Sequence, residues 1–248
     1  MRKILIILTV FLLHLAVASA QTKVQADEAY SQQEYEQAID LYAQLVERGA
    51  GADVYYNMGN AYYRLDSMAR AILCYERALR LRPGDDDVSF NLQLARSKTV
   101  DRLAPEREMF FVTWYRSLVN FFSVDAWTLI SIVGLAAALV LLLCYFFADS
   151  ERLRRVSFFS SLALVVLFVL STLFAWQQKT SLASRSDAIV MVPSVVVRNI
   201  PSDSGTDQFT LHAGTKVTVT DASMADWMQV HLPDGRQGWV DARALEVI

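Results

Sequence analysis

The sequence has few of the residues from which catalytic and metal sites are built. Its 248 residues include two cysteines and three histidines. Cys74 lies in a polar segment and Cys144 in an apolar one, so we predict no disulfide and expect two small buried side chains. His212 and His231 lie in predicted strands without a cysteine nucleophile nearby. Since phosphate loops, zinc spacings and nucleophile elbows are also absent from the sequence, we expect no enzyme, no cofactor and no metal site.

Charged residues are also scarce. They make up 20% of the chain against 54% hydrophobic residues, and the formal net charge is -3. The sequence contains no block of basic residues, which argues against a nucleic-acid partner. The length permits two or three small domains. The apolar excess is concentrated in three stretches, so it indicates cellular location rather than one large core.

The first apolar stretch follows Met1-Arg2-Lys3 and runs from Ile4 to Val17. It ends at Ala18-Ser19-Ala20, and this order is typical of a secretory signal peptide over residues 1–20. No cysteine follows the apolar run, so a lipoprotein signal is not predicted. The alternative is an uncleaved N-terminal anchor. In both cases we expect the chain from Gln21 onward to be exported.

Small and aromatic residues recur at fixed offsets between residues 52 and 85. They are Tyr55, Met58, Gly59, Tyr62, Ala71, Tyr75, Ala78 and Pro83. This segment resembles the tetratricopeptide repeat, a pair of packed helices. The small residues Gly59 and Ala71 would let the two helices cross closely. The seam with the neighbouring repeat would be filled by Tyr62, Tyr75 and Ala78. Pro83 would end the second helix.

A weaker copy precedes this repeat, since Ala38 lies 33 positions before Ala71. A third copy begins at residues 86–97 but has no recognisable second helix. We therefore predict an all-α domain of two and a half tetratricopeptide repeats over residues 21–105, in which the last helix covers an apolar face. An array this short is close to the lower limit of stability, so we expect support from the membrane or a partner.

The resemblance implies that the first helices of the repeats line a groove that binds extended peptides or proteins. Its positions correspond to Tyr30, Tyr56, Asn60, Tyr63 and Phe90. In the family, the position of Asn60 often holds a peptide backbone through the side-chain amide. Lys23 matches a lysine of the acidic-tail clamp, but Asp27 stands where the clamp has asparagine, so that clamp is not expected. The alternative is that these aromatic residues only pack between repeats.

The other two apolar stretches, residues 126–147 and 156–176, carry no charge and are each long enough to span about 30 Å of hydrocarbon. The loop between them, residues 148–155, contains three arginines, which favours a cytoplasmic location. Trp127 and Trp176 are expected at one membrane interface. We predict a two-helix anchor in the bacterial inner membrane, a multi-pass protein with both soluble domains periplasmic. Apart from Cys144 and Tyr145 the spans contain no ionisable side chain, which argues against transport, proton relay or intramembrane catalysis.

Residues 106–125 precede the first span and contain an apolar stripe of Phe110, Trp114, Leu118 and Phe121. This spacing predicts an amphipathic helix lying in the membrane interface. Either Ser123 or Asp125 is expected to cap the first spanning helix.

A polar linker over residues 177–186 is followed by short β-branched runs that predict a small closed all-β barrel over residues 187–248. The segments Ala213-Gly214-Thr215-Lys216 and Asp234-Gly235-Arg236-Gln237-Gly238-Trp239-Val240 resemble the bacterial SH3 family. The resemblance implies binding of cell-wall peptides or of protein. Residues 195–201 depart from the family's Asn-Val-Arg-x-Gly-Pro pattern, which argues against wall binding. Trp227 and Trp239 are expected in the core rather than on a ligand surface.

The order of these parts, in a multidomain membrane protein, is similar to that of the BatE-like proteins of the Bacteroides aerotolerance operon. The resemblance implies a scaffold in an inner-membrane aerotolerance or envelope-stress complex, with von Willebrand A-type Bat components as partners alongside the lipid bilayer. The alternative function is peptidoglycan binding or cell-wall sensing through the SH3-like domain.

Overall fold

A computed structural model describes residues 21–49, 51–102, 109–184 and 186–248. The predicted signal peptide, residues 1–20, and the segment 103–108 lie outside the described residues. The described residues form two compact units. The N-terminal helices and the C-terminal strands together make one, and residues 109–184 with Arg82–Gly84 make the other.

Five helices form the N-terminal part of the first unit. They are residues 21–31 (α1), Tyr35–Glu47 (α2), Ala52–Arg64 (α3), Met68–Leu81 (α4) and Asp86–Ser97 (α5). The helices α1 and α2 form one pair and α3 and α4 the next, while α5 has no second helix within residues 98–102. Pro83 follows the end of α4 by two residues, where its missing N–H interrupts no helical hydrogen bond.

The same tight turn joins the two helices of each pair. Gln33 and Asp66, which lie 33 positions apart, have φ values of 66° and 59°. Residues other than glycine rarely adopt this left-handed conformation. Its recurrence at the repeat spacing, each time just after the first helix of a pair, indicates that the two pairs are built alike.

The crossing of α3 and α4 is close because Gly59 has no side chain. A Cβ atom at this position would lie 2.7 Å from the ring of Tyr75 and 3.3 Å from Cβ of Cys74. The other packing positions predicted for this repeat are buried or pack against the same apolar cluster: Tyr62, Ala71, Tyr75 and Ala78. Burial also raises the pKa of the Cys74 thiol to about 12, which leaves it an inert core side chain.

The second unit contains the helices Phe110–Val119 (α6), Val124–Phe147 (α7) and Glu151–Ser184 (α8). Ser123 caps α7, because its Oγ accepts a hydrogen bond from the N–H of Ala126 at 3.2 Å. The helix α8 continues to Ser184 through most of the predicted linker, whose residues 177–184 include no glycine or proline to stop it. Both α7 and α8 are long and apolar enough to cross a membrane.

The helices α7 and α8 meet along small and hydroxyl side chains. Ser131, Gly134 and Ala138 of α7 are buried. Ser131 Oγ lies 3.0 Å from Thr172 Oγ1, and Ser161 Oγ donates to the Ala138 carbonyl at 3.0 Å. Small residues of this kind let two helix backbones approach closely in an apolar environment. Most large apolar side chains of both helices are exposed, and so is Cys144, which was expected to be buried.

Trp127, expected at a membrane interface together with Trp176, has a buried side chain. It is 7% exposed, its Nε1 donates to the Val119 carbonyl at 2.9 Å, and its ring packs edge-on against Phe122 and Phe174. It therefore joins the end of α6 to the hairpin. Trp176, by contrast, is 67% exposed.

The helix α6 presents its apolar stripe outward. All four residues predicted to face the membrane interface are exposed, from 40% to 86%: Phe110, Trp114, Leu118 and Phe121. Exposed aromatic residues in a contiguous row typically mark a surface that another apolar phase or molecule covers.

Seven antiparallel strands form the C-terminal part of the first unit, which we call the β domain. They are Asp187–Val190 (β1), Ser194–Arg198 (β2), Asp207–His212 (β3), Lys216–Asp221 (β4), Trp227–His231 (β5), Gln237–Asp241 (β6) and Leu245–Val247 (β7). Their order is β3-β2-β6-β5-β4-β1-β7. No ladder joins β3 to β7 within residues 186–248, so the sheet is not closed by hydrogen bonds as the sequence had suggested. The strand β7 was not predicted, because three residues are too few to show an alternation of apolar and polar side chains.

The hairpin between β5 and β6 has the predicted turn. The Leu232 N–H donates to the Arg236 carbonyl at 2.9 Å, and Gly235 adopts a φ of +88° that favours glycine. Gly238 allows a close approach of β2, since a Cβ there would lie 2.5 Å from Cγ1 of Val197. These contacts account for the spacing of glycines that carries the family resemblance.

We expect Gly59→Leu to lower the thermal midpoint of the full-length protein in detergent by several degrees. The added side chain would collide with Tyr75, and overpacking of this kind costs roughly 1 to 3 kcal/mol. In an open helical site, replacing glycine would instead stabilise the helix. An unchanged midpoint would show that α3 and α4 do not cross at Gly59.

Candidate protein-interaction surfaces

Polar side chains join the first helices of neighbouring repeats. Asp27 Oδ1 in α1 accepts hydrogen bonds from the Tyr42 hydroxyl of α2 at 2.6 Å and from Asn57 Nδ2 of α3 at 3.1 Å. Its second oxygen pairs with Lys23 at 2.9 Å. Burial alone would raise the pKa of Asp27, but the bonds from Tyr42, Lys23 and Asn57 outweigh it and hold the pKa below its usual value.

The same arrangement recurs one repeat later. Asn60 Oδ1 in α3 accepts from the Tyr75 hydroxyl of α4 at 2.8 Å and from Asn91 Nδ2 of α5 at 2.9 Å. Asn91 Nδ2 also lies within hydrogen-bonding distance of the Tyr56 hydroxyl, at 3.0 Å. In both sets the acceptor precedes its tyrosine by 15 positions. We call these residues the polar ladder: Asp27, Tyr42, Asn57, Asn60, Tyr75 and Asn91.

The polar ladder is an internal support of the repeat array. Tyr42 and Tyr75 are each 1% exposed, and burial raises the pKa of both hydroxyls, so they remain protonated donors at neutral pH. The acceptors Asp27 and Asn60 remain partly exposed, so the loss of either hydrogen bond costs about 1 kcal/mol. The ladder therefore sets the register of one repeat on the next.

The five predicted groove residues differ in their contacts and in their exposure. Tyr56 and Asn60 are brought together by their shared partner Asn91. Phe90 extends from α5 with 67% of its surface exposed. The side-chain oxygen of Asn60 already accepts hydrogen bonds within the fold. Binding a peptide backbone is therefore not its only role.

The remaining two groove residues have cationic neighbours. The Lys98 ammonium lies 4.2 Å from the ring centroid of Tyr63, a cation–π contact. The ring of Tyr30 lies 5.4 Å from that of Tyr35, and a hydrogen bond with Tyr30 raises the pKa of the exposed Arg64 guanidinium. Sequence reasoning missed Asn57 and Asn91, although their spacing of 34 positions was a usable signal.

A second surface is the place where the β domain packs on α4. Ile189 of β1 is fully buried in the same apolar cluster as Ile72 of α4 and Leu92 of α5. Gly214, between β3 and β4, approaches so closely that a Cβ would lie 3.0 Å from Cδ1 of Ile72 and 2.7 Å from Cγ2 of Thr99. Its φ of +89° favours glycine as well.

Charged groups surround this apolar contact. The Glu76 carboxylate of α4, with 8% of its side chain exposed, pairs with Arg96 of α5 and at 2.9 Å with Lys216 of β4. Lys216 also pairs with Asp187 of β1 at 3.0 Å. A buried carboxylate requires such partners, because desolvation of an unpaired charge is costly.

Asp101 forms a third part of the contact. Its carboxylate accepts from the backbone N–H of His212 at 2.7 Å and from Thr215 Oγ1 at 2.6 Å, and it lies 2.8 Å from His212 Nδ1. Burial alone would raise the pKa of Asp101, but these bonds outweigh it and the pKa lies below its usual value.

Arg77 and Arg80 of α4 complete the contact at the other end. Arg77 pairs with Glu246 at 3.0 Å and donates to the Val247 carbonyl at 2.8 Å, and Arg80 donates to the carbonyl of Ile248. We call the residues on both sides the docking contact: Ile72, Glu76, Arg77, Arg80, Arg96, Asp101, Asp187, Ile189, His212, Gly214, Thr215, Lys216 and Glu246.

The two tryptophans of the β domain do not lie in its core. Val230 and Val240 are fully buried, and Trp227 and Trp239 lie an odd number of positions away on the same strands, hence on the opposite face. Both are half-buried. The Arg198 guanidinium lies 5.8 Å from the ring centroid of Trp227, and Arg198 pairs with Trp239 across β2 and β6. The expectation that both tryptophans are core residues was wrong.

We expect Tyr75→Phe and Tyr42→Phe to destabilise the protein by similar amounts, about 1 kcal/mol each, because each removes one donor from an equivalent position of the polar ladder. Thermal unfolding of the two variants measures this. Markedly unequal shifts would contradict the equivalence of the two ladder sets.

Comparison with known families agrees with this geometry. A model of the tetratricopeptide repeat matches residues 52–85, which contain α3 and α4. A model of the bacterial SH3 domain matches residues 193–246, which contain β2 to β6. A search of curated proteins found no match. The chain thus carries a tetratricopeptide repeat and a bacterial SH3 domain, two domain types that suggest protein–protein interaction, with peptidoglycan as the other ligand class that the SH3 domain suggests.

Proposed function

We propose that the protein is a membrane-anchored scaffold without enzymatic activity, which binds a segment of another protein on the first-helix side of its repeats. The observation that carries this proposal is the exposure of aromatic side chains beside the polar ladder. Phe90 is 67% exposed, and the half-buried Tyr63 has Lys98 over its ring face. Aromatic residues next to an internally satisfied polar framework are common anchors at protein interfaces.

The docking contact supports a hairpin topology. It joins residues that precede α7 to residues that follow α8, for example Glu76 to Lys216 and Asp101 to Thr215. Two segments in direct contact must lie on the same side of a membrane, and two membrane crossings return the chain to the side from which it started. The contact is therefore consistent with α7 and α8 as a pair of spans.

The side on which both segments lie is proposed to be the periplasm of a bacterial inner membrane. The N-terminal residues resemble an export signal. Arg152, Arg154 and Arg155 lie between the two apolar stretches, and positively charged short loops remain in the cytoplasm.

Reporter fusions test this topology. We expect reporters placed after Arg107 and after Ile248 to be active in the periplasm, and one inserted between Ser150 and Arg155 to be active in the cytoplasm. A cytoplasmic result after Arg107 would remove the case for export. Opposite results for Arg107 and Ile248 would exclude the hairpin and contradict the docking contact as well.

Partner capture tests the groove. Phe90→Ala removes a ring that is 67% exposed, so we expect crosslinked capture of the partner from membranes to fall at least tenfold, as for a hot-spot aromatic residue. The control is Leu81→Ala, which removes a side chain of comparable exposure, 50%, from the second-helix side. Capture that survives Phe90→Ala, or falls equally with Leu81→Ala, would place the binding site elsewhere.

The double substitution Tyr56→Ala with Asn60→Ala is a poorer test. Asn60 supports Tyr75 and Asn91 from within the fold, so its loss would weaken the array itself. Circular dichroism would report this loss of helix packing before any effect on the partner could be interpreted.

The proposed partners are other membrane or periplasmic proteins. The order of domains, which resembles that of the BatE-like proteins, supports von Willebrand A-type Bat components and a role in an aerotolerance or envelope-stress complex. Identification of crosslinked proteins by mass spectrometry, with Phe90→Ala as the negative control, tests this assignment. Specific capture of proteins that lack a von Willebrand A-type domain would refute it.

A second function, binding of peptidoglycan, is favoured by one observation. The outward face of the β domain presents Trp227 and Trp239 beside Arg198, and flat aromatic surfaces next to a cation suit both sugar rings and short peptides. Co-sedimentation of the full-length protein with purified cell wall, lost in Trp239→Ala and retained in Phe90→Ala, would support this function over the first.

A further inference from the structure

The helix α5 is the last helix of the repeat array. It contributes the exposed Phe90 and the ladder residue Asn91 to the proposed groove. Its inner face, formed by Val88, Leu92 and Ala95, is buried against α4. A complete repeat would hold such a helix with a second helix of its own, but none follows α5 within residues 98–102.

The β domain covers the apolar cluster that α4 and α5 share. Ile189 enters the apolar cluster that contains Ile72 and Leu92. Gly214 lies directly against Ile72 and Thr99. Terminal repeats need a cap because one of their apolar faces has no neighbour, and here the cap comes from the other end of the chain.

Charge pairs connect the β domain to α5 through Glu76 of α4. Arg96 of α5 and Lys216 of β4 share the Glu76 carboxylate, so the position of one cation depends on that of the other. Asp101, four residues after the end of α5, is bonded to His212 and Thr215. The segment from Arg96 to Asp101 is therefore fixed on two sides by the docking contact.

We infer that the β domain is an intramolecular cap that controls the groove: when it is docked, α5 holds Asn91 and Phe90 in place, and when it is undocked, α5 is released from the array. The importance of this control for partner binding rests on the proposed function. The capping itself is a property of the chain alone. A protein or wall ligand that displaced the β domain from α4 would thus weaken binding in the groove.

Hydrogen–deuterium exchange on the full-length protein in detergent tests the inference without any partner. Lys216→Met keeps most of the length of the side chain but leaves Glu76 and Asp187 without their shared cation. We expect exchange in both β1 (187–190) and α5 (86–97) to accelerate roughly tenfold or more, while α2 (35–47) is unchanged. The matched control is Arg243→Met, which also removes a paired cation of the β domain but one that pairs with Asp241.

A second variant, Asp101→Ala, acts from the repeat side of the docking contact and should give the same pattern. Faster exchange in β1 without faster exchange in α5 would overturn the inference. It would also be overturned by equal acceleration in α2 or in Arg243→Met, or by unchanged α5 exchange in both Lys216→Met and Asp101→Ala.

Different results would contradict the proposed function. If α5 exchange responds as expected but Phe90→Ala does not reduce partner capture, the β domain caps the array and the groove is not the binding site. If Phe90→Ala abolishes capture while α5 exchange is unaffected by both docking variants, the groove is the binding site and the β domain does not control it.

Discussion

The buried carboxylate of Glu76 connects three parts of the first unit, and the packing of the β domain on the repeats depends on it. It belongs to α4, pairs with Arg96 of α5 and pairs with Lys216 of β4. A carboxylate with so little exposed surface is tolerated only when its cations are present. Its position therefore specifies the register of the β domain on the repeats, while the apolar contact of Ile72 with the cluster around Ile189 supplies the buried area.

The two segments that this contact joins are separated along the chain by a helical hairpin. The hairpin, α7 and α8, has its own seam of small residues and its own aromatic cluster around Trp127. Because the flanking segments bind each other, they form one folded unit rather than two independent domains. The contacts of the β domain reach α5 through Glu76 of α4.

The predicted and observed environments agree for some residues and differ for others. Gly59 and Tyr75 were predicted to pack at a helix crossing, and they do, because steric demands at a crossing are local and repeat with the helical period. Asn60 was predicted to face a ligand, yet its oxygen is bonded to Tyr75 and Asn91. Trp239 was expected in the core and lies on the opposite face from Val240. In both cases the residue type was compatible with two environments, and only neighbouring elements distinguish them.

The sequence by itself determined the helix pair over residues 52–85, the two apolar helices, and the strands and turn around Gly235, because propensity, periodicity and glycine conformation act over short distances. Only the tertiary structure decided what covers the unfinished repeat and where Glu76, Asp101 and Gly214 find their partners. Their partners across the docking contact, Lys216, Thr215 and Ile72, lie more than 100 positions away along the chain, and pairing over such separations depends on the packing of whole surfaces. No local pattern encodes it.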